Sequence, residues 1–250
     1  MAPSAVWLIT GASRGIGAEL AKQVLSTPNT VVFASARSVD SAKRLHELQK
    51  AFPSRLHLIS MDVVGSSSIQ AAVQAVTELT GESGVDYLVN NAGTAGPPVP
   101  AHEEKIDTFR TILEINVLGV HAVSQAFLPL LKMGHKKTVI NMSSCLGSHA
   151  FLLSNPVGWE NSSAALSAYK TSKAALNMPQ GFTFVAVHPG LVTTDMGSAF
   201  IKSAKLDNPA IRSTSLTPEQ SVEALRKTIA NLKLEDTGKF LNYDGVPMLY

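Results

Sequence analysis

Tyr169 and Lys173 stand four residues apart in a stretch, Ala164 to Met178, whose composition reads as helix. One turn therefore sets the phenol and the ammonium on a single face. A free phenol titrates near about 10, and a fixed cation one turn away favours its phenolate and draws that value toward the working range of an acid catalyst. The spacing alone recurs on many solvated helix faces, so the pair gains meaning only from what surrounds it. A second chemistry-bearing run is Thr10-Gly11-Ala12-Ser13-Arg14-Gly15-Ile16-Gly17, placed directly after an apolar run and before an amphipathic one. Glycines in such a strand-to-helix turn permit a tight bend, close approach of backbone to a pyrophosphate, and close packing of helix on strand, while the helix N-terminus offers N–H groups to an anion. The three residues between the first two glycines differ from the Gly-x-Gly-x-x-Gly of many dinucleotide binders. The seven histidines lack metal-ligand spacing, which implies no metal site. Cys145 reads as a small buried residue rather than a nucleophile.

These residues need elements to position them. With 250 residues, 45% hydrophobic and 16% charged, the chain suits one globular domain with a well-buried core. A net charge of +2 on scattered Lys and Arg gives no basic stripe, so neither nucleic acid nor a membrane surface is expected as a partner. One cysteine and no charged leader before Thr10 point to a cytoplasmic protein. No stretch reaches the roughly eighteen uninterrupted apolar residues of a membrane span.

Short β-branched runs at 5–9, 30–34, 56–59, 85–89, 138–140 and 182–187 alternate with helical patterns such as Ile16, Leu20, Val24 and Ile69, Val73, Val76. Continuously apolar strands are buried on both faces, so repeated β-α units predict a parallel sheet with helices on both sides. Thr217-Pro218-Glu219-Gln220 is a capping box opening a helix to about Leu232, followed by a last strand near Lys239 to Asn242. Pro129 is expected to kink or interrupt a helix from about Glu103 to Met133.

The glycine turn, Asn90-Asn91-Ala92-Gly93 after the fourth strand, Asn116 in a helix, Ser144 after the fifth strand, Tyr169 with Lys173, and Pro189-Gly190 with Thr194 after the sixth resemble the short-chain dehydrogenase/reductase family in order and over nearly the whole chain. The resemblance implies an α/β fold: a single-domain Rossmann-type doubly wound parallel sheet of order 3-2-1-4-5-6-7, spanning 1–250 with a substrate loop near 197–216. It implies catalytic roles for four residues. Ser144 would hydrogen-bond the substrate carbonyl, with Ser143 as the alternative. Tyr169 would donate the proton, Lys173 would hold the nicotinamide ribose and lower the tyrosine pKa, and Asn116 would hold a water that passes protons to Lys173. Gly11, Ser13, Arg14, Ile16, Gly17, Arg37, Asp62, Asn90, Ala92, Gly93, Pro189, Gly190, Val192 and Thr194 would join Tyr169 and Lys173 in lining the cofactor. An NAD site wants a carboxylate at the end of the second strand, whereas a 2′-phosphate wants arginine. That strand ends Ala34-Ser35-Ala36-Arg37 with Arg14 in the glycine turn, so NADPH is expected; the other reading leaves both arginines solvated. Asp62 fits either an acceptor for the adenine amino group or a helix cap.

Two departures from the family pattern carry information. The interval from Ser144 to Tyr169 is about twice the usual one, and the extra segment, His149 to Ser163, holds Phe151, Leu152, Leu153, Pro156 and Trp159. It reads as a loop adding apolar surface to the mouth of the site, as in the carbonyl-reductase branch that includes sniffer-type reductases and fungal ketoreductases, and it suits a bulky apolar or aromatic carbonyl. After Lys173, by contrast, the helix meets Pro179-Gln180-Gly181 early, and the sixth strand follows at once. From Tyr169 to Met178 a helix descends about 14 Å and the strand climbs about 20 Å, so three extended residues can close the chain. A helix this short leaves part of the sheet face exposed or covered differently, and predicts a monomer or a weakened homodimer. The expected function is NADPH-dependent reduction of a ketone or aldehyde. The alternative is a catalytically silent dinucleotide-binding sensor; a Rossmann-like methyltransferase would give Tyr169 and Lys173 no purpose.

Overall fold

The computed structural model describes residues 5–154, 166–177, 183–203 and 209–250. Seven parallel strands form one sheet in the order β3-β2-β1-β4-β5-β6-β7. The strands are β1 (Ala5–Ile9), β2 (Thr30–Ala36), β3 (Leu56–Ser60), β4 (Tyr87–Asn90), β5 (Thr138–Met142), β6 (Thr183–His188) and β7 (Phe240–Asn242). Their apolar runs are buried on both faces because two helical layers cover them. On one side Ile9, Val89 and Val187 pack with Leu20 and Val24 of α1 (Gly15–Leu25). On the other, Leu8, Leu88 and Val139 pack with residues of α3 (Ser66–Thr80) and α5 (Gly119–Met133). Between these lie α2 (Lys43–Ala51) and α4 (Ile106–Leu113). β1 pairs with β2 on one edge and β4 on the other, with Trp7 facing Val32 and Tyr87. The chain reverses its direction of winding at this point, and such a switch point opens a crevice at the carboxyl ends of the strands.

The helix expected from Glu103 to Met133 is corrected in two places. Residues Ala101–Glu103 form a short 3-10 turn, and α4 begins only at Ile106. Pro129 lies inside α5 and does not end it. Its ring costs one ladder hydrogen bond, but buried Phe127, Leu130 and Leu131 hold the turn on both sides. The irregularity falls instead at Glu114–Leu118, a π turn containing Asn116, and such turns are frequent at functional sites. The whole run Ile106–Met133 is long and apolar enough to cross a membrane by length and composition. Here its apolar stripe, including Ile112 and Val123, is buried within the fold.

The helix bearing Tyr169 and Lys173, α7 (Ser167–Leu176), follows α6 (His149–Ser154). It ends three residues past Lys173. The expected short connection through Pro179 to Gly181 lies outside the described residues, as do Pro156 and Trp159 of the extra segment. The sheet face is covered rather than exposed: Thr183 to Val187 are buried, and Phe184 joins the cluster of Val123, Phe127 and Leu130. The loop expected after Thr194 contains two helices among the described residues, α8 (Asp195–Ser203) and α9 (Pro209–Thr214). The capping box forms as expected, with Thr217 Oγ1 accepting from Gln220 N at 3.3 Å and Gln220 Oε1 accepting from Thr217 N at 2.9 Å. It opens α10 (Pro218–Ala230).

Candidate active site

A cleft of about 1460 Å³ runs along the carboxyl ends of the strands. One end begins at the turn between β1 and α1. Gly11 adopts φ +64°, and a Cβ there would sit 2.7 Å from Ala92 Cα, so only glycine lets the two strand ends meet. Thr10 ties the meeting point: its Oγ1 accepts from Asn91 N at 3.0 Å and from Ala92 N at 2.9 Å. Asn91 Nδ2 donates back to Thr10 O and Gly11 O at 2.9 and 3.0 Å. Gly11, Ser13, Arg14, Ile16, Arg37 and Asp62 all line this end. Arg14 also pairs with Asp195 across the cleft at 3.0 Å, a contact that is highly exposed on both sides and worth little in water.

Two expected cofactor contacts are corrected. Asn90 does not line the cleft. Its amide is buried and donates to Ser124 Oγ and Asn141 Oδ1, both at 2.9 Å, tying β4 to α5 and β5. Asn91, one residue on, faces the cleft instead. Gly17 is likewise absent from the lining; a Cβ there would lie 2.5 Å from Asn91 Nδ2, so it packs α1 against the turn. Ala92, Gly93, Pro189, Gly190, Val192 and Thr194 line the cleft. Asp62 lines the cleft as well, and its Oδ1 accepts from Val64 N at 3.2 Å within the turn before α3. The cap position of α3 is Gly65, which replaces the helix-cap reading.

Midway along the cleft, Ser144, Tyr169 and Lys173 come together. Alternation at the end of β5 separates the two serines. Ser143 turns to α7 and donates to Asn177 Oδ1 at 2.7 Å and to Lys173 O at 3.2 Å. Ser144 faces the phenol, acting as its hydrogen-bond partner, and its Oγ accepts from Leu146 N at 3.2 Å. Gly147 makes the close approach possible, since a Cβ there would meet the Lys173 carbonyl carbon at 2.6 Å. The ammonium of Lys173 lies 5.6 Å from the Tyr169 ring centroid and donates to Met142 O at 2.7 Å.

Electrostatics here run against the expected lowering of the tyrosine. Burial pushes the Tyr169 phenol up to about 12, opposed by the Ser144 hydroxyl. Burial also brings the Lys173 ammonium down to about 8. Low dielectric disfavours phenolate and ammonium alike, and Lys173 directs its charge at a carbonyl rather than at the phenol oxygen. Burial in the folded chain, invisible in a four-residue spacing, decides the direction.

Asn116 stands behind the cleft rather than in it. Its Nδ2 donates to Thr94 O at 2.8 Å and to Ser172 Oγ at 3.0 Å, and its Oδ1 accepts from Thr94 N at 2.9 Å. Both amide hydrogens are spent on protein acceptors, so this side chain braces the π turn against α7.

Several contributors carry no motif. Glu104 Oε2 accepts from Ala168 N at 3.0 Å and from Ser167 Oγ, anchoring the first turn of α7. Leu166 before that turn has φ +63° and supplies no side-chain cap. Arg44 lines the cleft while holding Glu19, which is 1% exposed, at 2.6 Å. His188, at the end of β6, also faces the cleft; burial takes its imidazole down to about 4. Cys145 is buried and its thiol is pushed up to about 12, as befits an inert residue. No group of three or more His, Cys, Asp or Glu suited to a metal occurs among the described residues.

Residues 5–204 match the family model described as short chain dehydrogenase. An uncharacterized oxidoreductase of Schizosaccharomyces pombe is 34% identical over 250 residues, covering 98% of each chain. A short chain dehydrogenase of Penicillium aethiopicum is 33% identical over 245 residues, covering 95% of this chain and 96% of the relative. Among solved structures, the NADPH-bound carbonyl reductase from chicken fatty liver superposes with a TM-score of 0.84 at 29% identity, over 100% of this chain and 96% of its own. The carbonyl reductase Sniffer of D. melanogaster superposes with a TM-score of 0.81 at 28% identity, over 99% and 100%. With the glycine turn, the Ser144, Tyr169 and Lys173 cluster and the sheet order in agreement, this chain belongs to the short-chain dehydrogenase family of oxidoreductases.

Proposed function

We propose that this oxidoreductase uses NADPH to reduce a ketone or aldehyde carrying a bulky apolar or aromatic group. The observation that carries the reading is the convergence of Ser144, Tyr169 and Lys173 midway along a cleft that begins at the glycine turn. The likeness to two carbonyl reductases, one of them NADPH-bound, supports it.

The residues suit a dinucleotide phosphate. Positive φ at Gly11 and Gly15 leaves backbone facing the cleft at the N-terminus of α1, where N–H groups favour an anion. Arg14, Arg37 and Arg44 line that end, and β2 closes in Ala34-Ser35-Ala36 with no carboxylate to repel a 2′-phosphate. Toward the other end, Gly93 lies close over Asn116: a Cβ there would come within 3.2 Å of Asn116 Oδ1. Asn91, Lys173 and the run from Pro189 to Thr194 would hold the nicotinamide half.

Once bound, the cofactor supplies a hydride to the carbonyl carbon. The chain does the rest. Ser144 Oγ donates a hydrogen bond to the carbonyl oxygen, and Tyr169 delivers the proton that the developing alkoxide takes up. A phenol pushed up to about 12 keeps its proton at neutral pH, as an acid must. Lys173, brought down to about 8, stands close to the working pH and can restore the proton. Asn116 and Glu104 keep α7 in register with Ser144.

Following NADPH absorbance with a panel of ketones and aldehydes tests the reading. We expect turnover that falls about 10² to 10⁴-fold in Tyr169→Phe. A second reading, a catalytically silent dinucleotide-binding protein, draws on the early end of α7 at Leu176. NADPH binding without turnover on any carbonyl would favour it.

A further inference from the structure

We propose that residues Val246 to Tyr250 form a strap across the substrate end of the cleft, and that Met248 on this strap selects carbonyl substrates by bulk. The inference rests on the carbonyl-reducing function proposed above and adds to it a residue far from every family motif. After β7 the chain turns at Gly245, φ +85°, with Asp244 Oδ1 accepting from Val246 N at 3.1 Å. It then doubles back antiparallel to β7. Asn242 N donates to Val246 O and Met248 N donates to Phe240 O, both at 2.8 Å. The far end is pinned to the segment following Ser144. Ser148 Oγ donates to Leu249 O at 2.6 Å, and Ala150 N, in the first turn of α6, donates to Tyr250 O at 3.1 Å. The Tyr250 hydroxyl also donates to Gly238 O.

Two anchors at opposite ends fix what lies between them. Met248 is half-buried between the anchors and lines the cleft. It packs in the cluster that holds Leu146, Phe151, Tyr169, Phe200 and Ile211. A substrate whose carbonyl meets Ser144 and Tyr169 must place its larger substituent against this apolar wall. A long, unbranched thioether adapts to such a group without hydrogen-bonding it. A small aldehyde would leave Met248 untouched, so the residue acts on one substrate class and not on the other.

The test compares kcat/KM for butyrophenone and propanal in wild type, Met248→Ala and Met248→Leu. Met248→Ala should lower the butyrophenone-to-propanal ratio about tenfold, the effect of losing apolar contact in a pocket. Met248→Leu should keep the ratio near wild type. An unchanged ratio in Met248→Ala overturns the assignment. If wild type reduces neither compound, the proposed function fails on its own account, and calorimetry of butyrophenone binding to the NADP-loaded protein decides the strap. About tenfold weaker binding by Met248→Ala then supports it; equal affinity, or no binding to wild type, overturns it.

Discussion

Replacing Lys173 with methionine should alter how stability responds to pH between 7 and 10. Lys173 is 6% exposed, and burial lowers its ammonium from 10.5 to about 8. Below pH 8 the lysine is charged in both folded and unfolded chains, and the folded state carries the cost of a buried cation. As pH rises through 8, the folded lysine loses its proton while the unfolded one keeps its own until about 10.5. The unfolded chain then binds more protons, so the wild type gains stability with rising pH. Working the linkage from these two values gives a gain of about 2–3 kcal/mol from pH 7 to pH 10. Lys173→Met lacks this contribution, while other groups titrating in the window cancel in the difference. Urea unfolding of both proteins at half-unit pH steps reads it directly, provided m stays constant. The gap between the curves should shift by about 2–3 kcal/mol in favour of wild type across the window. Parallel curves would refute the claim that Lys173 is a buried cation poised near the working pH.

Three further outcomes follow from the geometry. Glu104→Ala removes the acceptor for Ala168 N and Ser167 Oγ at the start of α7. Urea unfolding should show a loss of about 1–2 kcal/mol, and kcat should fall more than the KM for NADPH, because α7 carries the proton donor. Gly147→Ala must displace α7 from Ser144, since the new Cβ would overlap the Lys173 carbonyl; activity should drop sharply in a protein whose circular dichroism is unchanged. Finally, size-exclusion chromatography with light scattering should find a monomer or a weak, concentration-dependent dimer, given the early end of α7; a tight dimer buried through that helix would count against this expectation.

Much of the fold could be read from the chain because its strands are buried on both faces and so appear as uninterrupted β-branched runs. The register at β1 and β4 could not, yet it decides which asparagine faces the cleft. A resemblance that marks Asn90 and Asn91 together cannot say which of the two points inward. The glycine turn was legible through glycine's distinct conformational needs, and the capping box of α10 through a contact three residues long. Glu104 was not, because it meets α7 across 63 positions. Pro129 misled for a related reason: local propensity favoured a break, and packing of Phe127 and Leu131 overrode it. The tyrosine pKa was misjudged in sign because a sequence shows the neighbouring charge and hides the depth of burial.

The central claim, hydride transfer to a carbonyl with Tyr169 as proton donor, is tested most directly by label transfer. The protein is incubated with butyrophenone and with NADPH carrying deuterium on either face of nicotinamide C4, and the product is analysed by mass spectrometry. Deuterium should appear at the carbinol carbon from one face only, with the yield falling about 10² to 10⁴-fold in Tyr169→Phe. Unlabelled alcohol from both labelled cofactors, or equal yields from wild type and Tyr169→Phe, would contradict it.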